Sequence, residues 1–223
     1  KYLNDFLTGK YPNSFARGEL YNDDPRLGDA RLCGTTASLC GIERFGFEGN
    51  QEGVDKAVRY DITLHAFMLS QSGIPVIYSG DEIGQVNDYT YKDDPEKAAD
   101  SRYLHRGNFD WKLSENRHDP ATVQGKLFPA LDKLEHIRTS HGVFNSNVPF
   151  HTIDTWDNSI LAFVRENDEE KFIGIYNFSE NDKVAWINEE DGMYTDLISG
   201  RELEAKGVQI PAFGCYWLCR SKK

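Results

Sequence analysis

Two adjacent carboxylates, Asp81 and Glu82, follow a short apolar run and are the first groups in the chain that could do acid–base chemistry. The run, residues 74–78 (IPVIY), is typical of a strand buried on both faces. Barrel enzymes place functional groups at the carboxyl end of such strands. Neighbouring residues of a strand point to opposite faces, however. Asp81 and Glu82 therefore do not predict the facing carboxylates of a glycosidase, and one of them can instead anchor the loop through hydrogen bonds.

The acidic side chains of the loop after this run offer oxygen ligands of the kind that calcium binds. They lack the spacing of an EF-hand, which favours a solvated loop over a metal site. These residues are Asp88, Asp93, Asp94, Glu96 and Asp100. We also find no Gly-rich phosphate loop and no Ser-His-Asp order, and we predict neither a metal nor a cofactor.

The net charge of −11 argues against nucleic acid and against an anionic membrane surface as partners, whereas a neutral substrate is compatible with it. No apolar run reaches the roughly 20 residues of a membrane span. On one strand, Cys215 and Cys219 would lie roughly 13 Å apart, too far for a disulfide. Cys33 and Cys40 could pair in principle. We interpret all four as free thiols, which favours a cytoplasmic location.

The elements that must position these groups are two helices and a series of short strands. Apolar residues at helical spacing predict a helix over residues 54–70. A second helix is predicted from Asp119, a good N-cap followed by Pro120, to about His141. Residues 1–50 are rich in turn formers and are predicted to be a long loop or a subdomain. Residues 83–118 are polar and acidic and are predicted to be another long loop.

Beyond residue 143 the pattern changes to alternating apolar residues, which predicts an antiparallel sheet or sandwich without helices. The strands are expected near residues 160–165, 172–178, 183–187, 194–198 and 208–218. We therefore divide the chain into an inserted loop region or subdomain (1–50), the end of a catalytic barrel (51–144) and a C-terminal antiparallel β domain (145–223).

Four segments carry a resemblance to a known family. Residues 73–84 (GIPVIYSGDEIG) resemble the eighth barrel strand of the α-amylase superfamily, glycoside hydrolase family 13. Residues 14–18 (SFARG), 28–39 (GDARLCGTTASL) and 100–106 (DSRYLHR) resemble segments of its amylosucrase and sucrose hydrolase members. Cys33 and Tyr103 depart from that pattern, in which Ser and Trp are usual.

The resemblance implies the C-terminal part of a (β/α)8 barrel, namely the last strand and helices with long inserted loops, followed by an antiparallel β-sandwich domain. It implies a retaining, metal-independent enzyme that transfers the glucosyl unit of sucrose to an α-glucan or to water. In the family, the nucleophile, the acid/base Glu and a His-Asp-Asp motif precede the segment that matches this chain. The chain is therefore expected to contain no catalytic residue, to depend on its own N-terminal barrel half and to be inactive alone.

The same resemblance implies two substrate-binding residues. Arg102 matches an arginine that pairs with a carboxylate at the bottom of the pocket and contacts the glucosyl ring, a role that suits the forked guanidinium. Arg31 matches an arginine on the fructose or acceptor side. Weaker candidates are Asp100, Asp29, Arg17, Asp81 and Glu82.

Other assignments stay open at the level of the sequence. The parent could be another α-amylase-superfamily enzyme, such as a sucrose phosphorylase or an α-glucosidase. The β domain could instead be a non-catalytic carbohydrate-binding module, in which case exposed aromatic residues should form a row on one sheet face. The enzyme hypothesis predicts that Arg102 and Arg31 lie near the carboxyl end of residues 74–78.

Overall fold

The structure is a computed structural model that describes residues 2–24, 26, 29–187 and 191–222. The chain forms two compact units. We name residues 1–61 and 77–128 the loop unit, and residues 62–76 and 129–223 the β unit. Among the described residues, no helix has both the length and the apolar character needed to cross a bilayer.

The first part of the loop unit is more ordered than the sequence predicted. It contains three short helices and a two-stranded antiparallel hairpin: α1 (Tyr2–Leu7), β1 (Glu19–Asp24), β2 (Asp29–Cys33), α2 (Thr36–Cys40) and α3 (Ile42–Phe47). Of the two alternatives for residues 1–50, the short elements favour a subdomain over one irregular loop, because the turn formers separate these elements. Thr35, for example, caps α2 by accepting a hydrogen bond from the Ser38 N–H.

Two long helices confirm the helical spacing seen in the sequence. Helix α4 spans Gln51–Ser70, and α6 spans Val123–Ser140, while the short α5 spans Trp111–Ser114. Helix α6 begins later than predicted. The Asp119 carboxylate accepts from the Ala121 N–H in a turn, and Thr122 caps the helix by accepting from the Gly125 N–H at 3.0 Å. The loop between α4 and α6 contains 3-10 helices at Asp81–Ile83, Tyr89–Asp93, Ser101–His105 and Glu115–His118.

Residues 74–78 do not form the buried strand that the sequence predicted. They belong to no sheet of the described chain, and Ile74 and Val76 are 92% and 76% exposed. A strand is buried on both faces only when neighbouring strands and covering helices are present. The described residues supply no strand to pair with this segment.

The β unit is built on a six-stranded antiparallel sheet in the order β3-β4-β5-β10-β7-β8, with a separate two-stranded sheet of β6 and β9. The strands are β3 (Phe150–Ile153), β4 (Ile160–Glu166), β5 (Glu170–Asn177), β6 (Lys183–Ala185), β7 (Met193–Asp196), β8 (Glu202–Glu204), β9 (Val208–Ile210) and β10 (Cys215–Ser221). The single strand expected over 208–218 is thus two strands, and β3 and β8 were not predicted.

Both faces of the six-stranded sheet are covered by apolar residues of the β unit. On one face, Ile173 and Ile175 pack with Ala185, Val208 and Ile210 of the two-stranded sheet. This pairing of two sheets gives the sandwich-like arrangement that the alternation predicted.

On the other face, Phe172 and Tyr176 pack with Trp217 and with the ends of α4 and α6. Gly174 lies between these aromatic residues, and a Cβ there would come within 2.8 Å of the Tyr176 ring. The absence of a side chain at residue 174 therefore leaves room for Phe163 to stack on Tyr176, with ring centroids 5.8 Å apart.

Candidate functional site

The β1–β2 hairpin carries the first part of the candidate site. Tyr21 of β1 lies directly opposite Arg31 of β2 in the antiparallel register. Directly opposed residues project their side chains on the same face of the hairpin, with Cβ atoms about 5 Å apart. The exposed side chain of Arg31 therefore lies beside the half-buried ring of Tyr21.

A 3-10 helix, Ser101–His105, contributes Arg102 to the same place. It is capped by Asp100, whose carboxylate accepts from the backbone N–H of Arg102 at 3.0 Å. The Ser101 hydroxyl donates to the Leu20 carbonyl of β1 at 2.8 Å. The cap fixes the start of the helix, and the hydroxyl attaches that start to the hairpin.

The Arg102 guanidinium is held on two sides. Its Nε and Nη2 donate to the Asp100 carboxylate at distances of 2.6–3.0 Å, and its Cζ lies 4.6 Å from the centroid of the Tyr21 ring. The hydrogen bonds from Arg102 lower the pKa of Asp100 to about 2, and those to Asp100 raise the pKa of Arg102. Both groups are therefore charged near neutral pH, and the Arg102 side chain is still 42% exposed.

Glu19 gives the loop a second attachment to β1. The Tyr91 hydroxyl and the Lys92 ammonium, both from the 3-10 helix Tyr89–Asp93, donate to its carboxylate. Burial and the Glu19 carboxylate raise the pKa of Tyr91, so the phenol keeps its proton. Two 3-10 helices are thus fixed to the same strand, which orients Arg102 over Tyr21.

His105 connects this helix to the end of residues 74–78. Its ring meets the ring of Tyr78 edge to face, with centroids 5.8 Å apart. Burial lowers the pKa of His105 and Arg106 adds to the effect, while the carboxylates of Asp100 and Asp81 oppose it. The helix that carries Arg102 therefore lies against the carboxyl end of the segment that precedes Asp81.

The two adjacent carboxylates of the sequence take different positions. Asp81 is 9% exposed and begins the 3-10 helix Asp81–Ile83, and its backbone N–H donates to the Tyr78 carbonyl at 3.0 Å. The Glu82 carboxylate accepts from the Gly80 N–H at 2.8 Å. Glu82 thus holds the turn after residue 78, as one of the two carboxylates was expected to do.

Comparison with known proteins finds a relative in sequence and several solved structures with a similar fold. No family model matches the chain. It is 30% identical over 159 residues to the glucosylglycerate phosphorylase of Escherichia coli strain K12, a match that covers 70% of this chain and 27% of that protein. Solved structures with a similar fold include the trehalulose synthase MutB of Pseudomonas mesoacidophila (TM-score 0.53, 20% identity, 72% of this chain and 38% of that one). AmyP in complex with maltose is another (TM-score 0.57, 19% identity, 73% of this chain and 35% of that one).

These findings support the C-terminal portion of an α-amylase-superfamily protein.

The chain matches the C-terminal portion of such proteins and spans 27–38% of the length of the relatives just named. The predicted fold class, the C-terminal part of a (β/α)8 barrel followed by an antiparallel β domain, is confirmed. The three-part division at residues 50 and 144 stays a prediction, and the two units found in the structure divide helices α4 and α6 instead.

Of the weaker candidates, Arg17 hydrogen-bonds to the backbone of its own segment. Its Nη1 donates to the carbonyls of Ala16 at 2.8 Å and Ser14 at 3.2 Å. Its own carbonyl accepts from the Asn87 side chain, which also accepts from the Thr35 N–H at 2.9 Å. Asp29 belongs to β2 by its backbone, and its side chain lies outside the described residues.

Sequence analysis missed two residues that shape this site. Tyr21 lies under Arg102, and Asn87 connects residues 17 and 35 across a long sequence separation. For Tyr21 a signal was available, since the turn formers between residues 22 and 28 separate two short polar segments and could have predicted a hairpin. Asn87 gave no such signal, because its partners are distant in the sequence.

Proposed function

We propose that this chain supplies the substrate-contacting arginines and the C-terminal β domain of a retaining enzyme that transfers the glucosyl unit of sucrose. The acceptor would be an α-glucan or water. The observation that carries the proposal is the cluster of Arg102, Asp100, Tyr21 and Arg31. Apart from Tyr21, its members lie on two segments that resemble amylosucrase.

Arg102 is suited to hold a neutral sugar. Its hydrogen bonds to Asp100 use Nε and Nη2. Within the described residues, Nη1 is left to donate to sugar hydroxyl groups, and hydrogen bonds from a charged donor contribute about 1.5–3 kcal/mol. The carboxylate and the aromatic face fix the guanidinium in advance, which lowers the entropy cost of binding. Arg31 on the neighbouring strand would line the adjacent part of the pocket.

Bond cleavage would come from residues outside this chain. A retaining mechanism needs a nucleophilic carboxylate and an acid/base carboxylic acid about 5–5.5 Å apart on either side of the bond. Asp81 and Glu82 are neighbours in sequence, and Glu82 is engaged by the Gly80 N–H. We therefore propose that the chain is inactive alone and works with its own N-terminal barrel half.

The relatives support this chemistry in different degrees. A MutB variant with 19% identity to this chain was solved with its substrate sucrose, and AmyP was solved with maltose. The relative with 30% identity is a phosphorylase. It favours a second candidate, in which phosphate and not a glucan or water accepts the glucosyl unit. An α-glucosidase would share the same first step.

A non-catalytic carbohydrate-binding module is the alternative from another class. It would require exposed aromatic residues in a row on one sheet face. The exposed aromatic residues of the β domain are Phe150, Trp156 and Trp186, at 46%, 74% and 52% exposure. They lie on β3, on the loop after β3 and after β6, and this scatter favours the enzyme proposal.

The experiment measures fructose, glucose and glucose 1-phosphate after incubation with sucrose, with and without phosphate. It is run on this chain and on a longer protein that also contains the preceding barrel strands. We expect no product from the 223-residue chain and fructose release from the longer protein. Glucose 1-phosphate formed only with phosphate present would select the phosphorylase candidate. Fructose release by this chain alone would contradict its proposed inactivity, and none from the longer protein would refute the sucrose proposal.

Substitution of Arg102 tests the site itself. In the longer protein, Arg102→Lys keeps the charge but loses the fork, and we expect kcat/KM for sucrose to fall at least about tenfold. The matched control is Arg106→Lys on the exposed end of the same 3-10 helix, which should stay within about twofold. Equal activity of the two variants would remove Arg102 from the substrate site.

A further inference from the structure

Three potential metal ligands meet at the edge of the β unit's core. His141, Glu170 and Cys219 each offer one ligand atom, and these three atoms all lie within 4.8 Å of one another. They come from the turn that follows α6, from β5 and from β10, so their sequence positions gave no sign of a common site. None of them belongs to the arginine site of the loop unit.

The sheet register determines two of the three positions. Glu170 pairs with Ser221, and Phe172 pairs with Cys219, between the antiparallel strands β5 and β10. Residues two apart on a strand point to the same face. Glu170 and Cys219 therefore project from one face as diagonal neighbours, and that face is the one on which Phe172 is packed.

His141 is brought to this face by the turn that follows α6. The 3-10 helix Gly142–Phe144 directly follows it, and the Val143 N–H donates to the Glu170 carboxylate at 3.2 Å. The ring of Phe144 packs on Phe172 with centroids 4.8 Å apart. Each of the three candidate ligands is thus positioned by backbone pairing or core packing beside it.

Two of the three groups are partly exposed, so a cation could reach them, whereas the thiol would have to lose its proton to bind. His141 and Glu170 are 28% and 20% exposed, and their Nδ1 and Oε1 atoms lie 2.5 Å apart in a hydrogen bond. Cys219 is 6% exposed. Burial, together with the Glu170 carboxylate, raises the pKa of its thiol to about 12, so the free thiol is protonated.

We infer that His141, Glu170 and Cys219 form a binding site for one divalent transition-metal ion of the zinc class. An imidazole nitrogen, a carboxylate oxygen and a thiolate are a donor set that zinc accepts, whereas calcium and magnesium bind oxygen ligands. Water would complete a four-coordinate site.

Binding requires small side-chain movements and the loss of a proton. Zinc–ligand distances of about 2.0–2.3 Å place tetrahedral ligand atoms about 3.4–3.6 Å apart. The His141–Glu170 contact must therefore open by about 1 Å. For the ion to bind Nδ1 of a neutral His141, the ring proton moves to Nε2, and the thiol proton of Cys219 is released to solvent.

A bound ion would cross-link the segment after α6 to strands β5 and β10. Because the ligands come together only in the folded β unit, binding stabilises the folded state by mass action. The role that follows from the geometry is structural and is independent of the sugar chemistry proposed above.

The test uses cobalt(II) as a spectroscopic probe on the whole 223-residue chain in metal-free, reducing buffer. We expect one equivalent to bind and to give a near-ultraviolet thiolate-to-cobalt charge-transfer band. Zinc should displace the cobalt and raise Tm. A wild-type chain that shows neither the band nor a rise in Tm would overturn the inference.

Substitutions assign the thiolate. Cys219→Ser should remove the band and weaken cobalt binding at least about tenfold, because even changes to groups that only support metal ligands cost about 10–100-fold in affinity. Cys215→Ser removes a thiol from the same strand and should keep the band. If the two variants had the same charge-transfer band and the same cobalt affinity, the site would be refuted. If circular dichroism shows that Cys219→Ser does not fold, His141→Ala serves instead, and unaltered cobalt affinity in that variant would also refute it.

Discussion

Two arginines, one in each unit, show how differently the same side chain is used. Arg165 of the β unit is fully buried, whereas the Arg102 side chain of the loop unit is 42% exposed. Arg102 faces a carboxylate and an aromatic ring. Arg165 has no carboxylate among its hydrogen-bond partners in the described residues. It donates to four backbone carbonyls at 2.7–3.3 Å, those of Ser70, Gln71, Asn145 and Val148.

The difference lies in what compensates the charge. Ser70 is the last residue of α4, and the carbonyls at the end of a helix carry the negative end of its dipole. Arg138 donates to the Gln71 and Gly73 carbonyls of the same segment at 3.0 and 2.8 Å. Burial, with a smaller effect of Arg138, lowers the pKa of Arg165 to about 10. Arg165 therefore holds structure together, while Arg102 keeps donors available for a ligand.

Removal of the buried arginine should have the largest effect. Arg165→Met leaves several buried carbonyls without a donor, and each such group costs about 1–3 kcal/mol. We expect the free energy of unfolding to fall by about 3 kcal/mol in urea titrations. The control Arg201→Met changes an exposed arginine of the same unit and should cost less than about 0.5 kcal/mol. If both variants lost a similarly small amount of unfolding free energy, burial would not distinguish Arg165 from the exposed Arg201.

Removal of the Tyr176 hydroxyl, which lies in the core of the β unit, should have the next largest effect on stability. It accepts from Trp217 Nε1 at 3.1 Å and lies 2.6 Å from the Ser70 hydroxyl. Tyr176→Phe leaves the buried indole N–H without this acceptor, and unfolding should become easier by about 1.5 kcal/mol. Tyr216→Phe is the control, because the Tyr216 hydroxyl donates to the Gln209 carbonyl in an exposed hydrogen bond. If Tyr216→Phe lost as much stability, the buried hydrogen bonds of Tyr176 would contribute no more than an exposed hydrogen bond.

The exposed apolar segment offers a test of intermolecular contact. Residues 74–78 pair with no strand among the described residues, and Ile74, Val76 and Tyr78 are exposed, which makes the segment a template for strand pairing. We expect the chain to self-associate in sedimentation experiments, and Val76→Lys to weaken association at least about tenfold, or about 1.4 kcal/mol. Phe47→Lys, at a side chain that is 95% exposed on a helix, should leave it unchanged. A wild-type chain that is monodisperse and monomeric would exclude this surface.

The smallest effect concerns acid titration of the Arg102 site. The folded-state pKa of Asp100 is about 2, below its ordinary value of 3.8. A lowered folded-state pKa gives stabilisation that is present above about pH 4 and is lost as the pH falls toward 2. Because the pair is partly exposed, its contribution is small. Carboxyl-carbon NMR should give a midpoint near pH 2 that Arg102→Met raises and Arg106→Met leaves nearly unchanged. If Arg102→Met and Arg106→Met shifted the midpoint equally, the hydrogen bonds from Arg102 would not be what lowers the pKa of Asp100.

Local patterns predicted the parts of the fold that depend on local physics. The apolar spacing from Val54 to Leu69 predicted α4, and the alternation around Ile160 and Ile173 predicted β4 and β5. The strand expected over 74–78 was wrong, because burial depends on neighbours that a sequence pattern does not supply. In the loop unit, short elements such as the β1–β2 hairpin were missed because turn formers were taken as a continuous loop.

The sequence by itself determined the superfamily, the two helices and the β-rich C-terminal region, since these follow from motifs and from side-chain periodicity. Only the tertiary structure decided that Arg102 stacks on Tyr21, that Arg165 donates to carbonyls at the end of α4 and that His141 meets Glu170 and Cys219. These contacts join residues that lie 29–95 positions apart in the sequence. The hydrogen bonds between Arg102 and Asp100, in contrast, are local. The formation of the long-range contacts depends on strand register and packing, and no local pattern encodes which distant residues will be opposed.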